Sequence, residues 1–81
     1  MTSQTTTAST STSAVPQGTH MWVLTLEVPG RGMTTSHGTV TPPRGATRHD
    51  TFRTLLDHVV AQDPRMSSAN CVFFTLETNQ L

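Results

Sequence analysis

The chain contains no lysine, no isoleucine and no tyrosine, and its only cysteine is Cys71. Each absence excludes something. A lone cysteine rules out an internal disulfide, so covalent stapling cannot hold this fold together. Without lysine there is no polybasic segment of the kind that binds membrane surfaces. Five arginines balance five acidic residues, for a net charge of +0. A neutral domain of this kind lacks the electrostatic footprint of a nucleic-acid binder. No apolar run approaches the roughly 18 residues of a membrane-spanning helix. The first residues have neither a basic start nor an apolar core, so they do not read as a signal peptide. With a free thiol, these features point to the cytoplasm.

What is present divides the chain in two. Ten of the first thirteen residues are Ser or Thr. Residues 1–19 hold almost nothing apolar to offset the entropy of ordering, and a disordered tail is expected there. Residues 20–81 are expected to form a single small α+β domain. At about 60 residues such a domain is marginal alone, and oligomerisation is a common remedy.

The first strand is expected at His20–Val28. Trp22, Leu24, Leu26 and Val28 alternate onto one face, and Met21, Val23, Thr25 and Glu27 onto the other. The sequence "PGRG", residues 29–32, breaks the run as a turn. The second strand, about Met33 to Thr41, is rich in threonine. A two-residue loop at Gly30 and Arg31 sets Leu24 opposite His37. A three-residue loop, Gly30 to Gly32, with Gly32 left-handed, sets Val40 opposite Trp22 and Gly38 opposite Leu24. The second register is preferred because it keeps His37 off the apolar face.

"TPPRGAT" then connects to a helix. Thr47 reads as its N-cap and Asp50 as the return arm of a capping box. Phe52, Leu55, Leu56, Val59 and Val60 form one stripe at the helical period. Pro64 ends the helix near Gln62. A last strand is expected from Cys71 to Thr78. Val72, Phe74 and Leu76 face inward there, and Cys71, Phe73, Thr75 and Glu77 outward.

The order β-β-α-β gives a three-stranded antiparallel sheet in order 2-1-3, with the helix packed on one face. The uncovered face exposes Met21, Val23, Cys71 and Phe73, the candidate interface. The expected function is that of a non-enzymatic interaction or accessory protein, self-associating as a homodimer through that face or an edge strand. The alternative is weak nucleic-acid binding or regulation through Arg31, Arg44, Arg48 and Arg53, the second and third of which flank the helix N-terminus. His20, His37, His49 and His58 follow no metal-ligand spacing, so no metal or other cofactor is expected. Cys71 has no base at a recognisable spacing, and no loop reads as a phosphate cradle, so no catalytic residue is assigned.

The Trp-led first strand, "TPPRGATRHDTF" and the closing "FFTLETNQL" together resemble small actinobacterial proteins over about residues 20–81. The resemblance implies a GC-rich bacterial source, which fits the use of Arg without Lys, and brings no activity with it.

Overall fold

The computed structural model describes residues 16–81. The expected disordered tail therefore lies outside the described residues over positions 1–15. Gln17, Gly18 and Thr19, also assigned to that tail, are hydrogen-bonded to the end of the sheet. The Gly18 amide donates to Thr39 Oγ1 at 2.9 Å, and the Thr19 carbonyl accepts from the Asn79 amide at 2.9 Å.

Strand β1, His20–Val28, occupies the centre of the sheet. It lies between β2, Gly32–Val40, and β3, Asn70–Thr78, in the order β2-β1-β3. Both pairings are antiparallel. The expected α+β fold is thus the observed one. Helix α1, Arg48–Gln62, covers one face. A single 3₁₀ turn, Pro64–Met66, links it to β3.

Local chemistry explains the boundaries. Val28, Pro29, Gly30 and Arg31 form a turn closed by the Arg31 amide on the Val28 carbonyl, at 2.9 Å. Pro at the second position and Gly30 at φ 75° at the third suit a type II turn. At the start of α1, Thr47 accepts from the Asp50 amide at 3.0 Å. Asp50 in turn accepts from the Thr47 amide at 3.2 Å, completing the capping box. The helix stops at Gln62, because Pro64 disfavours helical backbone in the residue before it.

The hairpin register differs from the expected one. The loop is Pro29 to Arg31, so Val28 pairs with Gly32, Trp22 with Gly38 and Leu24 with Ser36. The slip is two residues, so every side chain keeps its face. The reason is the turn: Gly30, the residue after Pro29, takes the left-handed conformation at the corner, which pulls the loop one residue toward β1 and the register by two.

The second difference is in β3. Between Thr25 and Leu26 of β1 the partner jumps from Phe73 to Cys71, which leaves Val72 out of the ladder as a β-bulge. Val72 was expected in the core and is instead 52% exposed.

The core consists of Trp22, Leu24, Leu26, Leu55, Val59, Met66 and Leu76. Leu24 and Leu26 are fully buried. Phe52, Leu56, Val60 and Phe74 pack around this centre, with Phe52 edge-on to Phe74 at 5.0 Å between ring centroids. Each fully buried apolar side chain contributes roughly 1.5–3 kcal/mol, most of it offset by chain entropy. Met66 is buried from the 3₁₀ turn and closes the hairpin end of the core.

Candidate interaction surface

Because α1 covers one face of the sheet, the outward residues of all three strands form the other. The registers arrange them in rows. Thr35, Thr25 and Phe73 make one row, His37, Val23 and Thr75 the next, and Thr39, Met21 and Glu77 the third. Thr25 and Thr35 are joined by a hydroxyl–hydroxyl hydrogen bond of 2.9 Å. Phe73 is 53% exposed and Met21 45%.

Three of the four expected interface residues therefore share this face. Phe73 stands opposite Thr25 and diagonal to Val23, with Met21 one row further on. Cys71 departs from the set. The bulge at Val72 shifts its partner to Leu26, a residue on the helix-covered face. Its thiol is exposed and lies 3.7 Å from the carbonyl oxygen of Phe73.

The arginines do not converge. Arg48 reaches from the helix N-terminus to the Leu76 carbonyl, at 3.1 Å, at the His20 end of the sheet. Arg44 lies in the connector beside it. Arg31 sits on the hairpin loop at the opposite end, and Arg53 is exposed on the helix. Arg65, also at the hairpin end, binds Asp63 through two hydrogen bonds of 2.9 and 3.1 Å. That contact holds the Asp63 carboxyl below its ordinary value and raises Arg65, chiefly through the side-chain hydrogen bond.

The histidines are dispersed as well. His58 meets the edge of Trp22 at a centroid separation of 6.5 Å, and His49 stacks on Phe52 at 6.3 Å. His20 is hydrogen-bonded to the Thr19 hydroxyl. Among the described residues, no three His, Cys, Asp or Glu side chains gather as a metal site would require. Among them, too, no helix is long and apolar enough to cross a membrane.

Two features of this surface had no clear signal in the sequence. One is the bulge. The other is a cleft of about 680 Å³ between the hairpin loop and the 3₁₀ turn. Val28, Met33 and Met66 contribute its apolar parts and Arg31 and Arg65 its cations. It joins residues more than thirty positions apart in a connector without periodicity, so only the fold brings them together. No family model, curated protein or solved structure matches this chain.

Proposed function

We propose that this protein is a non-catalytic interaction module that dimerises through the open face of its sheet and acts in the cytoplasm. The observation that carries the reading is Phe73. It is a large aromatic side chain, more than half exposed, on the edge strand β3 beside Thr25, Val23 and Thr75, on a face that α1 does not cover. Exposed apolar groups clustered in this way mark interaction surfaces. Face-to-face stacking of two such sheets is a standard solution for covering them.

A second copy is the favoured occupant because a two-fold contact must be self-complementary. The central rows, Thr35–Thr25–Phe73 and His37–Val23–Thr75, carry no carboxylate, lysine or arginine. Two copies can thus meet there without like-charge repulsion from such groups. The β3 edge is less suited to pairing, because its bulge interrupts the strand.

Sedimentation equilibrium tests this reading. Dimer is expected at micromolar concentration, with Phe73→Asp shifting the equilibrium to monomer while the helical circular dichroism signal is retained. A strict monomer at high micromolar concentration overturns it. Unfolding of Phe73→Asp would move Phe73 into the core and overturn the face assignment.

A further inference from the structure

We infer that the outer edge of β2, which no described strand pairs with, together with the cleft at its hairpin end, is a docking site for an extended peptide segment bearing a carboxylate. The site lies across β1 from β3 and is independent of the open-face dimer. An unpaired edge presents a row of free N–H and C=O groups that another strand can pair with, and proteins usually blunt such edges with charge, proline or bulges. β3 carries a bulge at Val72 and an acidic residue at Glu77. β2 carries none of these devices. It pairs with β1 over nine consecutive residues without a register shift, and its sequence, GMTTSHGTV, has no proline, lysine, arginine or carboxylate.

The cleft adjoins this edge through Gly32, Met33 and Thr34. A strand added to β2 projects alternate side chains to the helix side of the sheet, and at the hairpin end that side opens into the cleft. Strand addition draws affinity from main-chain hydrogen bonds and selectivity from pockets for alternate side chains. The chemistry of the pocket names the side chain. Arg65 is engaged by Asp63, whereas Arg31 has no ion-pair partner among the described residues. One free guanidinium beside the apolar Val28 and Met66 suits a carboxylate on an otherwise apolar strand.

The chain's own segments fit less well. Residues 1–15 contain no acidic residue, and neither does β2, so a leader strand or a β2–β2 pairing brings no carboxylate to Arg31. A β2–β3 contact between copies brings Glu77, but it is head-to-tail and cannot form a two-fold dimer.

The test uses the full-length protein and fluorescein-labelled hexapeptides TVEVTV and TVQVTV in fluorescence anisotropy. Saturable binding of TVEVTV is expected, about tenfold weaker for TVQVTV and about tenfold weaker for Arg31→Gln, in line with loss of one charge-assisted contact. Of two TVEVTV isomers N-methylated at alternate amides, the one blocked on its pairing edge should lose binding and the other keep it. No binding of TVEVTV, equal binding of both methylated isomers, or indifference to Arg31→Gln would each overturn the proposal. Light scattering that grows with protein concentration in step with loss of peptide binding would assign the edge to a second copy, and would overturn it too.

Discussion

The indole of Trp22 lies against the backbone of Gly38 on the neighbouring strand. A Cβ built at position 38 would sit 3.3 Å from Trp22 Nε1 and 3.4 Å from Cζ2. Gly38 is not among the glycines with positive φ, so what the site requires is space. The register that pairs Trp22 with Gly38 therefore has a steric logic, since the bulkiest core residue is set opposite the residue with no side chain. Gly38→Ala should force the ring to shift by a few tenths of an ångström and destabilise the fold by about 1 kcal/mol, at the low end of overpacking costs. That would lower the melting temperature by roughly 4–8 °C in a domain of this size. Gly38→Val should cost more. Urea denaturation followed by Trp22 fluorescence measures both, and an unchanged midpoint for Gly38→Val would show that the contact does not constrain the core.

Thr47 and Asp50 make a second separable contribution. Thr47→Ala should cost about 1 kcal/mol, because it orphans an amide at the start of α1. Asp50→Ala removes the return bond to the Thr47 amide and should cost less, since that amide lies at an exposed helix end. The two bonds belong to one motif, so the double variant should lose less than the sum. Additive losses in thermal unfolding would mean that the box does not act as a unit.

The elements that were legible in the sequence are those built from short-range periodicity. The stripe from Phe52 to Val60, with its Thr47 cap and Pro64 stop, defined α1 to the residue. Alternation from Trp22 to Val28 defined β1, and the return path of the helix defined the strand order. What escaped was tertiary in origin. The choice of hairpin loop turned on whether Gly30 or Gly32 stands at the corner, and both are glycine. The bulge at Val72 leaves no mark in an unbroken apolar run, so Val72 was expected to face inward, and the shift that sets Cys71 opposite Leu26 was not foreseen. Burial of Met66 follows from the path of a connector, and so does the cleft beside it. Of the open-face site, Met21, Val23 and Phe73 followed from alternation alone.

The contact between Asp63 and Arg65 predicts a specific acid response. Its hydrogen bond to Arg65 holds the Asp63 carboxyl below the ordinary 3.8. A carboxyl depressed in the folded state contributes stability that is present above its unfolded value and is lost as pH falls through the lowered folded one. Any contribution from this exposed pair is therefore constant at neutral pH and fades as pH falls from the ordinary carboxyl value through the lowered one. NMR titration should place the Asp63 midpoint below the ordinary carboxylate value. Arg65→Gln should return it toward the ordinary value, and high salt should weaken the effect. An Asp63 midpoint unmoved by Arg65→Gln would show that the pair is not populated in solution.

Deleting residues 72–81 should abolish folding. The deletion removes Phe74 and Leu76, and with Leu76 the carbonyl that anchors Arg48. It also strips β1 of nearly all its pairing on one side. What remains is a two-stranded hairpin and one helix, and an isolated hairpin is marginal at best in water. The far-ultraviolet circular dichroism signal of α1 should be lost with the sheet, because most helical stability comes from tertiary packing. Deleting Gln80 and Leu81 alone is the informative control. That cut leaves Asn79, whose amide and side chain hold the Thr19 and Gly18 carbonyls. The shorter truncation should therefore keep the cooperative unfolding transition of the full chain, and removing Asn79 as well should lower its midpoint. A folded product lacking residues 72–81 would mean that β1, β2 and α1 form a sufficient core without β3.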